Sequence, residues 1–254
     1  MWDSKICMNT FSTVLLLALL PAAGNLAGGL LSEAVRVSNR TLSLALHAAA
    51  GILFAVVGVE LMPEALTAEP AWLVIIAFVL GGGAFLLLDG AIHSVEKRFG
   101  GNHDEESQAG SPWGIYFATA LDLFSDGLMI GASATISLEL SLLLALGQVT
   151  ADVPEGFATA ASFKNAGMER GRRLLLTISF ILPVFIGAAI GFFLVRGQPD
   201  ILKYSVLSLT AGILLTTVVE EIIPMAHREQ DARLAAIFLV GGFALFSLIS
   251  VYFG

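Results

Sequence analysis

Long apolar stretches alternate with short polar breaks along the whole chain, and each stretch is long enough to cross a bilayer. Spanning the hydrocarbon core takes about 20 predominantly apolar residues. On this criterion the sequence predicts eight helices, at about 11–32, 41–66, 70–94, 112–136, 138–164, 171–196, 200–225 and 232–253. One polar, glycine-rich break at about 96–111 is longer than the others. The pattern therefore predicts an all-α integral membrane protein with a single transmembrane domain over residues 1–254.

Composition supports this prediction and excludes several classes of protein. Hydrophobic residues make up 56% of the chain and charged residues 13%, whereas a soluble domain has about 25% charged residues. The formal net charge of −8 leaves no basic surface for nucleic acid. The single cysteine, Cys7, excludes a disulfide framework and a metal cage built from cysteines. We expect the protein to lie in a lipid bilayer and to have no nucleic-acid partner.

Basic residues predict the orientation, because lysine and arginine accumulate in cytoplasmic loops. Ten of them lie in or beside the breaks after the first, third, fifth and seventh predicted helices: Arg36, Arg40, Lys97, Arg98, Lys164, Arg170, Arg172, Arg173, Arg228 and Arg233. The opposite side has three: Lys5, Arg196 and Lys203. This bias predicts a multi-pass protein of the cell membrane with both termini outside the cytoplasm. A cleaved signal peptide is the alternative for the first stretch, but its apolar character continues to Leu31 and favours a retained helix.

Short internal matches predict an inverted repeat. Glu60-Leu-Met-Pro-Glu-Ala65 in the second helix resembles Glu221-Ile-Ile-Pro-Met-Ala226 in the seventh, and residues 79–85 of the third resemble residues 240–244 of the eighth. Asp126-Gly127 in the fourth helix aligns without gaps on Glu155-Gly156 in the fifth. Because matched helices run in opposite directions, we expect a 3+2+3 arrangement. Folds of this kind place the transported substrate near the membrane midplane.

Acidic residues lie in the middle of two adjacent apolar stretches. Asp122 and Asp126 are four positions apart, and Asp152 and Glu155 three apart, so each pair shares a helix face. A carboxylate at membrane depth costs about 2.5–3.5 kcal/mol on insertion scales, so it normally faces a cation, a proton or water. Pro154 should also free the carbonyl oxygen of the residue four positions before it. Oxygen ligands suit divalent cations such as Mn, Fe, Zn, Mg or Ca; the alternative is protonated acids hydrogen-bonded between helices.

Further acids and histidines lie nearer the membrane faces. Glu60 and Glu64 fall at the external end of the second helix, and Glu220 and Glu221 near the cytoplasmic end of the seventh. We interpret them as metal-binding positions where a cation arrives and leaves; the alternative is solvated helix ends. The histidines are interpreted as surface or interfacial residues, with His227 best placed to ligate: His47, His93, His103 and His227.

The acidic stretches resemble those of a known transporter family. Asp122-Leu-Phe-Ser-Asp-Gly-Leu resembles the helix-four motif His-Asn-Phe-(Pro/Thr/Ser)-(Glu/Asp)-Gly of the ZIP (Zrt/Irt-like) metal transporters, and Asp152-Val-Pro-Glu-Gly resembles their helix-five motif. Segments 59–65, 163–168 and 219–224 resemble other parts of the family pattern. The resemblance implies a homodimer that carries zinc, iron or manganese toward the cytoplasm as its substrate, with no further cofactor required.

The resemblance also implies which residues bind the metal. Asp126, Asp152 and Glu155 would be the family's metal-binding carboxylates, and Asp122 occupies the place of the usual histidine. Three positions differ from the family pattern, and none of their side chains offers a ligand atom: Leu123, Ala151 and Leu182.

Two alternatives from other classes remain open. One is a proton- or sodium-coupled carrier of another solute, in which the same acids relay protons. The other is a non-transporting relative that senses metal or serves as a membrane assembly partner. An enzyme is not expected, because neither His-Glu-x-x-His nor Gly-x-Ser-x-Gly occurs.

Overall fold

The chain is built from helices throughout the part described. The computed structural model describes residues 4–99, 112–227 and 232–253, in which no strand occurs. Eight helices follow one another: α1 Ser4–Ala34, α2 Asn39–Ala65, α3 Ala71–Phe99, α4 Pro112–Ser133, α5 Leu138–Asn165, α6 Arg170–Val195, α7 Asp200–Ala226 and α8 Ala232–Phe253. The all-α prediction is therefore confirmed.

Seven of the described helices are long and apolar enough to cross a membrane. The helix that does not meet this criterion is α5, which carries both Asp152 and Glu155 along its 28 residues. At 1.5 Å per residue its length would span a bilayer with room to spare. The prediction of eight spanning helices thus depends on α5, whose acidic residues lower its hydropathy.

Several helix ends differ from those expected from hydropathy. α1 begins by Ser4 and α3 continues to Phe99, because a helix extends past the apolar stretch into polar residues that favour helix as well. α4 ends at Ser133, where the chain turns before Ser137 caps α5 by accepting hydrogen bonds from the next helical N–H groups. Most of the long loop expected at 96–111 lies outside the described residues.

The helices pack most extensively in four pairs: α1 with α5, α4 with α6, α3 with α7, and α2 with α8. Glycine allows the closest approaches. A Cβ added to Gly81 of α3 would overlap the carbonyl oxygen of Leu209 in α7. A Cβ on Gly242 of α8 would in the same way overlap the carbonyl oxygen of Ala48 in α2. These helices therefore pack backbone to backbone, as small residues permit in membranes.

The two contacts are related by a constant shift in sequence. Gly81 and Gly242 are 161 positions apart, and so are Ala48 and Leu209. α2 and α7 also share a local irregularity, since each contains a π-helical turn, at Val56–Leu61 and at Val218–Ile222. The α3–α7 pair and the α2–α8 pair thus pack in the same way, and α2 and α7 each contain a π-helical turn at corresponding positions.

The outer surface of the bundle is apolar. α3 and α8 are the helices that other parts of the chain cover least. Large hydrophobic side chains on them are widely exposed, among them Leu87 and Val251, each 77% exposed. Exposed apolar area on this scale matches a multi-pass membrane protein surrounded by lipid.

Candidate metal centre

Three carboxyl groups converge between α4 and α5. Asp122, Asp126 and Asp152 each offer an oxygen atom that lies within 4.8 Å of the other two. All three side chains are buried, with exposed fractions of 3%, 1% and 2%. The sequence placed each pair of acids on a helix face, and the structure brings those two faces together.

Glycines next to the acidic residues let α4 pack closely against α6, and α5 against α1. Gly127 follows Asp126, and a Cβ there would overlap the carbonyl oxygen of Val184 in α6. Gly156 follows Glu155 and makes the corresponding close contact with Asn25 of α1. α4 and α5 therefore lie against α6 and α1 through glycine, while their acidic faces meet each other.

Each of the three aspartates has an oxygen atom without a hydrogen-bond partner. Within the described part of the chain, Oδ1 of Asp122 and Oδ2 of both Asp126 and Asp152 are buried and accept no hydrogen bond. Leaving a buried polar atom unsatisfied costs about 1–3 kcal/mol, and more for a charged one. A divalent cation bound by the three carboxyl groups would offset their mutual repulsion and provide a partner for buried oxygens. The chemistry of the cluster therefore fits a cation substrate.

Other polar groups border the cluster. The side chains of Glu155 and of Thr217 in α7 lie beside Asp122, and the Thr217 hydroxyl donates to the carbonyl oxygen of Ile213. Glu221, also in α7, is close enough for its charge to interact with Asp122 and Glu155. Helix α7 thus brings a hydroxyl and a carboxyl group to the edge of the site.

The remaining predicted metal-binding acids lie elsewhere. Glu220 is exposed. Glu60 accepts a hydrogen bond from Ser250 of α8, and Glu64 accepts one of 3.2 Å from the hydroxyl of Tyr204 in α7. These contacts place Glu60 and Glu64 against other helices, apart from the three aspartates.

The chain is similar in sequence to known zinc transporters. A family model described as ZIP Zinc transporter matches residues 100–250. The zinc transporter ZupT of Chlorobium luteolum is 30% identical over 95% of this chain and 98% of its own length. ZupT of Chlorobium phaeovibrioides is 29% identical over the same shares. The mouse zinc transporter ZIP4 is 25% identical over 56% of this chain, which is 22% of that longer protein.

The chain belongs to the ZIP family. Its members are transporters, so the protein is a transporter of divalent metal and not an enzyme. The family resemblance expected from the acidic stretches is thereby confirmed.

The three departures from the ZIP pattern have clear places in the structure. Leu123 and Ala151 are buried, with 0% and 1% of their surface exposed, and supply only hydrocarbon beside the aspartates. Leu182 is 62% exposed and faces away from the cluster. None of these three side chains therefore offers a ligand atom to the aspartate cluster.

Two polar residues near the site were missed by the sequence analysis. Gln148 is 1% exposed, and its Nε2 donates to Oδ1 of Asp126. It lies four positions before Asp152, so helical spacing could have placed it on the acidic face. Asn25 is fully buried in α1, and neither of its side-chain polar atoms has a partner in the described residues. Only its position among apolar residues could have drawn attention to it.

Gln148 should tune the centre by holding Asp126. In Gln148→Leu we expect zinc to bind about 10–100-fold more weakly, because groups that orient ligands typically contribute that much to metal affinity. Equilibrium dialysis on the purified protein measures the change. Gln198→Leu is the matched control, since Gln198 is exposed in a loop. Equal affinity in parent and Gln148→Leu would remove Gln148 from the centre.

Proposed function

We propose that the protein carries zinc, or a similar divalent cation such as iron or manganese, across the membrane through the site formed by Asp122, Asp126 and Asp152. The observation that supports this most strongly is the convergence of three buried aspartates, each with a carboxyl oxygen within 4.8 Å of the other two. Two ZIP relatives that match most of this chain are named zinc transporters. Glu155 would be the fourth ligand, since it reaches Asp122.

One cation per chain at this centre fits the ligands present. The atoms that would complete a second centre are replaced by hydrocarbon at Leu123 and Ala151. An all-oxygen set is harder than one with histidine, and it therefore suits iron and manganese alongside zinc. Glu221 would take the cation over on its way to the cytoplasm, because its charge interacts with both Asp122 and Glu155. Glu60, Glu64 and Glu220 would act outside the centre.

The helix packing supports an inverted-repeat transporter of eight spans. The constant shift of 161 positions relates the α3–α7 contact to the α2–α8 contact. The contact of Gly28 in α1 with Val153 in α5 corresponds to that of Gly187 in α6 with Phe124 in α4. Repeats of this kind permit alternating access around a fixed midplane site. A homodimer would use apolar surface of the kind that α3 and α8 expose.

Uptake by purified protein in proteoliposomes tests the function directly. We expect saturable zinc uptake, reduced by competing manganese or iron, and none in liposomes without protein. The same vesicles also distinguish the two alternative functions, a carrier of another solute and a metal sensor. Solute-driven proton or sodium flux without metal uptake would indicate the other carrier class, and zinc binding without uptake would indicate a sensor.

The orientation can be tested by accessibility. Because basic residues favour one side ten to three, a tag after Gly254 should be labelled from outside intact cells. A tag inserted at Asn102 should be labelled only after the membrane is opened. The reverse pattern would overturn both the orientation and the direction of transport that depends on it.

A further inference from the structure

Two histidines from different helices meet at the opposite end of α2 from Glu60. His47 in α2 and His227 at the end of α7 have ring centroids 5.0 Å apart, with the ring planes inclined by 56°. His47 is 3% exposed, whereas His227 is exposed. The pair is therefore open on one side, and under the proposed orientation that side is cytoplasmic.

Hydrogen bonds fix both rings in the form that binds metals. Nδ1 of His47 lies 2.8 Å from the carbonyl oxygen of Ser43, and Nδ1 of His227 lies 2.9 Å from that of Ile223. A carbonyl oxygen can only accept, so each Nδ1 carries a proton, and Nε2 is the nitrogen that a metal would bind. Metal-binding histidines are usually held in this way, by a carbonyl or carboxylate on the other nitrogen. Nε2 of His47 is buried and has no partner in the described residues.

The spacing of the rings matches two ligands on one ion. Zinc binds imidazole nitrogen at about 2.0–2.1 Å in tetrahedral geometry, which places two ring centres about 5 Å apart. The observed separation is 5.0 Å. Ser43 also donates from Oγ to the carbonyl oxygen of Ala226, which joins α2 to α7 beside the pair. The centroid separation therefore allows both rings to bind one ion.

A polar cavity lies near the pair, although neither histidine lines it. It has a volume of about 180 Å³ between α2 and α5, and its lining includes Ser43, Ser162, Asn165 and Met225. Ser43 is the residue whose carbonyl oxygen orients His47, and Met225 lies two positions before His227. The cavity could bring water to the turn of α2 that precedes His47.

We infer that His47 and His227 form a second metal-binding site, which takes zinc or another imidazole-binding divalent cation with two nitrogen ligands and water. The site goes beyond the proposed function, since binding there does not require transport. With only two protein ligands it should bind and release metal readily, as suits a site near the cytoplasmic end. The simple alternative is that the two rings only pack against each other.

Copper(II) is the probe that separates these cases, because directly bound imidazole nitrogen splits its electron paramagnetic resonance signal. The sample is the full-length chain with Asp122→Asn, Asp126→Asn and Asp152→Asn, loaded with one equivalent of copper(II). We expect splitting from two nitrogens, which falls to one or none in His47→Gln and in His227→Gln. His103→Gln is the control and should leave the signal unchanged. A signal indifferent to His47 and His227, or one lost in the control, would overturn the site.

Zinc counting on the otherwise unmodified chain provides a second measurement if the triple variant does not fold. Equilibrium dialysis should give one zinc fewer per chain in His47→Gln/His227→Gln than in the parent, with the central zinc kept. Equal counts would overturn the inference. Failure of the proposed function looks different, because it removes saturable uptake from the parent while leaving this difference in zinc count unchanged.

Discussion

Replacing either Asp126 or Asp152 with alanine should abolish saturable zinc uptake. Each residue contributes a carboxyl oxygen to the group of three aspartates, and each also has a buried oxygen without a partner in the described residues. Loss of a residue that merely orients a ligand costs about 10–100-fold in metal affinity, so loss of a ligand should cost about 100-fold or more. Uptake into proteoliposomes, at equal protein content, measures the effect.

Glu139→Ala is the matched control for this experiment. Glu139 is an acid on the same helix as Asp152, but it is exposed in the first turn of α5. Its loss should leave uptake within about twofold of the parent, since exposed charges contribute little. Asp126→Asn provides a second check on folding, because it removes charge repulsion from the cluster at nearly constant volume. We expect it to remain folded while losing transport, and full transport in Asp126→Ala and Asp152→Ala would rule out the cluster as the pathway.

Adding a single methyl group at Gly127 should disrupt the protein almost as severely. A Cβ at this position would overlap the backbone carbonyl of Val184, so α4 must move away from α6. Overpacking of this kind costs about 1–3 kcal/mol. The shift would also displace Asp126, the adjacent residue. Gly127→Ala should therefore lower both the melting temperature in detergent and the uptake of zinc.

Gly83→Ala is the control for that substitution. Gly83 lies in α3, where an added Cβ would meet nothing within 4 Å. Alanine favours helix over glycine by about 1 kcal/mol, so this variant should be as stable as the parent or slightly more so. If Gly127→Ala melted like Gly83→Ala and transported normally, the close packing of α4 on α6 would not matter to the site.

Much of the site could be predicted because helical spacing alone places its residues. Asp122 and Asp126 must share a face of any helix that contains both. That this face meets Asp152 on α5, however, depends on how α4 and α5 pack. For Glu60 and Glu64 the metal-binding role stays a prediction, but the sequence does not predict their contacts. Their partners, Ser250 and Tyr204, come from distant parts of the chain that no local pattern connects to them.

The fold was predictable to a similar degree. Hydropathy located the helices because apolar length is the property that a bilayer selects, although α5 falls short of the apolar criterion for a span. It also missed the ends of α1 and α3, where helix continues into polar residues. The pairing of helices was not predictable, because it depends on which glycines face a neighbour. Gly81 and Gly83 illustrate this: they are two positions apart in sequence, yet only Gly81 contacts α7.

The most direct test of the proposed zinc site is to locate the bound metal in crystals grown with zinc. Anomalous scattering at the zinc absorption edge shows its position. We predict a peak between α4 and α5, about 2.0–2.2 Å from carboxylate oxygens of Asp122, Asp126 and Asp152. The peak should disappear in crystals of Asp126→Asn grown under the same conditions. Zinc found only elsewhere in the molecule, with these three side chains hydrogen-bonded to one another, would contradict the central claim.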